Sequence, residues 1–128
     1  MTKVEKVLGL GGVFFKARDP QALADWYRTH LGLDAKDFGG AFGAVIPFAE
    51  REPGYQVWTA FPASSGYFPT PFMVNFRVAN LDAMLAQLRA AGVVVDDAIE
   101  ASDDFGHFGW AVDPEGNRIE LWQPPAQG

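Results

Sequence analysis

The chain has 128 residues, no cysteine and a formal net charge of −6. That length holds one compact domain, or two small halves sharing a core, and excludes an array of independent domains. With 48% hydrophobic and 20% charged residues, wholesale disorder is excluded, and the missing cysteines exclude disulfides, thiolate zinc sites and a cysteine nucleophile. No apolar run approaches the roughly 18–20 residues of a membrane helix, and no signal-peptide core follows Met1-Thr-Lys-Val-Glu-Lys, so no membrane partner and a cytoplasmic location are expected. An acidic balance without a basic stripe speaks against nucleic acid. The aromatic load is high: four tryptophans, three tyrosines and eleven phenylalanines, 14% of the chain.

In chain order, Leu10–Ala17 alternates and reads as a strand. A helix then begins behind Asp19, whose carboxylate can cap orphan N–H groups, with Pro20 at the first helical position. Leu23, Trp26, Tyr27 and His30 have the i, i+3, i+4, i+7 spacing of a buried face, which makes His30 structural, and Gly32 stops the helix. Strands are expected near Leu33–Phe38, Ala41–Phe48 and Tyr55–Phe61. Residues 62–71 have the prolines and small polar residues of a linker. Tyr67 and Phe68 are unusual there: they pack the linker onto the body, or they cover a pocket or a dimer contact.

Phe72–Ala79 reads as a strand with Met73, Asn75 and Arg77 on one face and Phe72, Val74, Phe76 and Val78 on the other. Asn80 caps a second helix whose face is Leu81, Met84, Leu85 and Leu88, ended by Gly92. Strands are expected at Val93–Asp97, Phe108–Val112 and Asn117–Trp122, the last two joined by the turn Asp113-Pro-Glu-Gly-Asn117. The acidic run Asp96, Asp97, Glu100, Asp103 and Asp104 lacks calcium-loop spacing and reads as a solvated loop. No nucleophile-elbow or phosphate-loop motif occurs.

The stretch from Val13 to Arg28 has a partner from Val74 to Arg89, with few identities but one pattern: alternating strand, cap, amphipathic helix, glycine. Each half therefore reads strand–helix–strand–strand–strand.

Asp113-Pro-Glu-Gly-Asn-Arg-Ile-Glu-Leu-Trp122, together with Phe15-Lys-Ala-Arg-Asp-Pro-Gln-Ala-Leu-Ala-Asp-Trp-Tyr27 and Leu31-Gly-Leu33, resembles the vicinal oxygen chelate superfamily of glyoxalase I, bleomycin-resistance proteins and extradiol dioxygenases. The resemblance implies an α+β fold in one domain over 1–128. Two βαβββ modules, at about 8–61 and 72–124, would curl a mixed sheet into a cup with the helices outside. It also implies a divalent metal held by four side chains inside the cup. The matching positions are Gly12, Met73, Gln56 or Trp58, and Glu120. Glycine offers no ligand and a thioether suits hard cations poorly, so no metal or other cofactor is expected.

If Gly12 and Met73 mark the inner face, alternation brings Phe14, Lys16, Asn75 and Arg77 onto it. Gln56 and Trp58 join from the fourth strand, and Arg118, Glu120 and Trp122 from the last. This is an aromatic basin with scattered polar groups, the make-up of a small-molecule site. Two tentative catalytic residues stand out. Glu120, a carboxylate in apolar surroundings, suits a general base, or else bonds Arg77, Arg118 or a tryptophan N–H. His107, between two glycines, suits a pocket rim or an ordinary loop. The expected function is a small-molecule-binding protein without the family metal, as a homodimer. The alternative is a lyase, isomerase or dioxygenase-like enzyme using Glu120.

Overall fold

The computed structural model describes residues 12–47 and 54–125. The fold is α+β, with two helices and two sheets, one antiparallel and one mixed. Helix α1 spans Pro20–Leu31: Asp19 accepts a bond from the Ala22 N–H at 3.1 Å, and Gly32 closes the helix at φ 70°. Helix α2 spans Leu81–Ala90, capped by Asn80 through the Ala83 N–H at 3.0 Å. Its C-cap is Ala91, with Gly92 just beyond it in the left-handed conformation.

The larger sheet is built from β3 (Asn75–Arg77), β4 (Glu100–Ser102), β5 (Gly106–Val112) and β6 (Arg118–Gln123) in the order β3-β6-β5-β4. Strand β3 runs parallel to β6, and the other pairs are antiparallel. With α2 crossing between β3 and β4, residues 75–123 follow the expected strand–helix–strand–strand–strand order. One strand is displaced from its expected position. Val93–Asp97 meets β5 in a single bridge, Val95 to Ala111, flanked by bonds from the Asp96 N–H to the Trp110 carbonyl (2.9 Å) and from the Val112 N–H to the Val94 carbonyl (3.0 Å), and past it the Asp96 carboxylate accepts the Ala98 N–H at 3.1 Å and bends the chain. The chain rejoins the sheet at Glu100, inside the acidic run expected to be a solvated loop.

The first half is less complete. It contributes α1 and a hairpin of β1 (Lys36–Phe38) with β2 (Ala41–Gly43). Residues 12–17 of the strand expected over Leu10–Ala17, and all of the one expected over Tyr55–Phe61, form none. Alternation decides which side chains share a face, but a strand also needs a neighbouring backbone, and neither stretch joins a ladder among the described residues. Leu10, Gly11 and Phe48, which the expected strands include, lie outside the described residues.

The core joins both halves. Leu23 and Tyr27 of α1 cluster with Leu81, Leu85 and Leu88 of α2 and with Ala111, Ile119 and Leu121 of β5 and β6. Helix α2 lies so close to β5 that a Cβ on Gly109 would stand 2.9 Å from Leu85 Cδ1. The β5–β6 turn is fastened to α1 by Asp113. Its Oδ1 accepts the N–H groups of Glu115 (2.9 Å) and Asn117 (3.0 Å), and its Oδ2 accepts Asn117 Nδ2 (2.9 Å) and the Tyr27 hydroxyl (2.8 Å). Glu115 then takes both the backbone N–H and Nε of Arg18, at 2.8 and 3.3 Å.

Leu85→Ala should cost about 2–5 kcal/mol, as for other fully buried leucines. Gly106→Ala should cost at least about 2 kcal/mol, since Gly106 has φ 95° and a Cβ there would strike the Gln123 carbonyl. Urea unfolding of both variants checks the pair.

Candidate functional site

Strand alternation decides what faces away from the core. On β5 and β6, Ala111, Ile119 and Leu121 turn toward the helices, so Phe108, Trp110, Arg118, Glu120 and Trp122 share the opposite face. The register sets them in rows. Asn75, Glu120 and Trp110 lie side by side across three strands, and Arg77, Trp122, Phe108 and Glu100 across four. This face is the floor of a broad open hollow of about 2210 Å³. The linker and residues 55–61 form other parts of its lining.

Three donors converge on the Glu120 carboxylate at the middle of the floor. Oε1 accepts Asn75 Nδ2 at 2.8 Å, while Oε2 accepts Trp110 Nε1 at 2.9 Å and the Tyr67 hydroxyl at 2.5 Å. A buried carboxylate needs such partners, and Glu120 is only 7% exposed. Of the sequence alternatives for Glu120, the bond to a tryptophan N–H is present. Burial, then the hydrogen bond to Glu120, then the charges on Glu120 and Glu100 push the Tyr67 hydroxyl well above the usual tyrosine range, against a smaller opposing effect of Trp110.

Aromatic rings surround this cluster. Tyr67 stacks on Phe61 at 5.3 Å and meets Trp110 edge-on at 5.9 Å, and Phe68 closes on Phe61 at 5.3 Å. Further along the floor, Trp122 lies parallel to Phe108 at 6.2 Å and under Tyr55 at 5.5 Å, and its Nε1 donates to the Phe105 carbonyl at 2.6 Å. The Arg118 guanidinium lies 5.0 Å from the Trp110 ring centre and reaches Asp96 at 3.3 Å.

Of the residues singled out from sequence, Glu120, Gln56, Trp58, Met73, Asn75, Arg77 and Trp122 line this one hollow. Phe14, 98% exposed, and the exposed Lys16 do not, because residues 12–17 are not held in the sheet that would aim them inward. His107 is exposed and alternates with Phe108, so it lies on the helix side of β5 and away from the floor. Sequence reasoning missed Tyr67 as a floor partner, along with Trp110, Phe108 and Glu100. Alternation along residues 106–112 carried the signal for Phe108 and Trp110, and the odd composition of the linker pointed to Tyr67. Nothing local distinguished Glu100 from its acidic neighbours.

The family metal can be tested against these donors. Gly12 has no side chain, Met73 offers a thioether, and both oxygens of Glu120 are engaged by protein donors. Among the described residues no group of three or more histidines, aspartates or glutamates stands together. The donor set does not fit a hard divalent cation.

A mixed sheet with one crossover helix, and a carboxylate on the strand after an Asp-Pro-Glu-Gly-Asn turn, agree with a glyoxalase-type fold. The chain belongs to the glyoxalase-like domain family, whose model matches residues 12–122. No curated protein matches it. Among solved structures it is similar to TnmS3, an antibiotic binding protein from a Streptomyces species, with 20% identity, 84% of this chain and 88% of that one covered, and TM-score 0.52. It is also similar to an integron cassette protein from the mobile metagenome of V. cholerae (16% identity, 94% and 98% covered, TM-score 0.57). A third is a protein of unknown function from Agrobacterium tumefaciens (23% identity, 91% and 98% covered, TM-score 0.53). At these identities the likeness is one of fold. None of the described helices is long and apolar enough to cross a membrane.

Burial, reinforced by the bond to Asp113, also pushes the Tyr27 hydroxyl far up. Tyr27 and Tyr67 therefore keep their protons in the folded chain at pH values where the unfolded chain loses them. Their contribution is fully present below the ordinary tyrosine pKa of about 10 and is lost as pH rises above it. The expected result is a fall in stability beginning near pH 10, with a shallower slope in Tyr27→Phe and Tyr67→Phe, read from urea midpoints across that range.

Proposed function

We propose that the protein binds a flat aromatic small molecule in the hollow above Glu120, as a binding protein and without the family metal. The observation that carries this reading is the lining. Tryptophan, tyrosine and phenylalanine rings ring a few fixed polar groups, the usual make-up of a small-molecule site. The fold likeness to an antibiotic binding protein makes organic ligands of that general kind the first to test. Asn75, Arg77, Gln56 and Met73 supply polar and soft contacts around the rings, and Trp58, 81% exposed, stands ready to cover a ligand. The enzyme reading needs Glu120 to accept a proton from a ligand, and the three donors already on its oxygens weigh against that role.

The same reading includes a closed cup made by two βαβββ modules in a homodimer. The hollow is wider than the ~300–1,000 Å³ of ordinary ligand sites. Phe14, Val45, Ile46, Val57 and Trp58 leave a large apolar surface in the first half. A second copy laid against that surface would pair the unladdered stretches 12–17 and 54–61 and narrow the hollow.

Sedimentation should give twice the 14.0 kDa chain mass. A monomer at micromolar concentration would remove the dimer. Titration of intrinsic tryptophan fluorescence with planar aromatic compounds should show saturable quenching and a raised melting temperature, with no response to aliphatic compounds of equal size. Trp58→Ala should weaken that binding about 2–10-fold, the range for one lost aromatic contact. Turnover of an added substrate that Glu120→Gln abolishes, with binding intact, would instead establish the enzyme.

A further inference from the structure

The linker raises a question that aromatic binding alone leaves unanswered: why a tyrosine from a strandless segment occupies the middle of the floor. Tyr67 lies between Pro62 and Pro71, in a stretch that forms no strand. Yet its ring sits among Phe61, Phe68 and Trp110, and its hydroxyl makes the shortest of the three bonds to Glu120. The other two donors belong to the sheet. Asn75 and Trp110 flank Glu120 in register on β3 and β5, so they fix the carboxylate whether or not Tyr67 is there. The sheet thus builds an oriented acceptor inside a cage of rings, and the linker fills it with a phenol.

We infer that Tyr67 is an internal stand-in for the ligand, and that the ligand is a flat aromatic carrying a phenolic hydroxyl that takes the place of the Tyr67 hydroxyl on Glu120. This deepens the aromatic-binding reading and rests on it. The chemistry of the exchange is conservative: one phenol O–H donor to a carboxylate is replaced by another, so no charge is stranded and no buried acceptor is left empty. The ring cage accepts either aromatic face or edge. What the exchange costs is the bond that Tyr67 gives up. The free protein therefore binds more weakly than its site allows, by the fraction of molecules in which Tyr67 has left. Glu100 also faces this region and adds to the negative field that favours a donor over a second acceptor.

The test uses the full chain with 2-naphthol and 2-methoxynaphthalene, two probes of nearly equal shape that differ in the donor, titrated by calorimetry. The wild-type chain is expected to prefer 2-naphthol. In Tyr67→Ala, 2-naphthol should bind about tenfold more tightly, with little change for the methyl ether. Tyr67→Phe, which keeps the ring and loses only the hydroxyl, should shift the preference the same way, and its melting curve verifies that the fold is intact. Weaker 2-naphthol binding in Tyr67→Ala would overturn the inference, because Tyr67 would then be a wall of the site and not its occupant. Binding of both probes with a ratio unmoved by either variant would also overturn it, while leaving the aromatic-binding reading standing. If neither probe nor any larger planar aromatic bound wild type or variants, the aromatic-binding reading itself would fall.

Discussion

Four hydrogen bonds gather on one buried aspartate, and one of them ties the two halves together. Asp113 gathers two backbone N–H groups and a side-chain amide of its own turn and, from across the molecule, the Tyr27 hydroxyl. The first three bonds fix the shape of the β5–β6 turn, and the fourth fixes where α1 lies against it. A carboxylate that is 4% exposed is tolerated only with its lone pairs filled. Displacing α1 would take one of the two donors from Asp113 Oδ2 as well as uncover Leu23 and Tyr27. Each residue of the Asp-Pro-Glu-Gly-Asn run has a place in it. Pro114 and Gly116 shape the bend, Asn117 returns to the aspartate, and Glu115 reaches Arg18.

The same two strands serve opposite needs on their two faces. Toward the helices they present Ala111, Ile119 and Leu121, all at or below 1% exposure, and toward the hollow Trp110, Glu120 and Trp122. The floor is consequently as rigid as the core beneath it. Glu120 cannot swing, since Asn75 and Trp110 hold it from neighbouring strands.

Most of the second half was legible from sequence because its signals are local and agree with one another. Asn80 caps α2, the leucine spacing buries Leu81, Leu85 and Leu88, and alternation assigns Ile119 and Leu121 inward and Glu120 and Trp122 outward. The failures have separate physical sources. Past Val95 the Asp96 carboxylate takes the Ala98 N–H, and the ladder resumes only at Glu100. In the first half, alternation puts Phe14 and Lys16 on the inner face but cannot supply a neighbouring strand, so neither lines the hollow. His107 was judged by its glycine neighbours and not by its parity with Phe108. Tyr67 shows a different limit: its partner lies 53 residues away, and no spacing rule connects a linker to a sheet floor.

The two halves of the chain differ energetically. The β5–β6 ladder pairs six residues over a leucine core, whereas the β1–β2 hairpin pairs three with little cover. Local opening scales with such differences, so amide protons of β5, β6 and α2 are expected to be protected longer in hydrogen exchange than those of the first-half hairpin. The floor that carries Glu120 thus belongs to the part of the molecule that opens last.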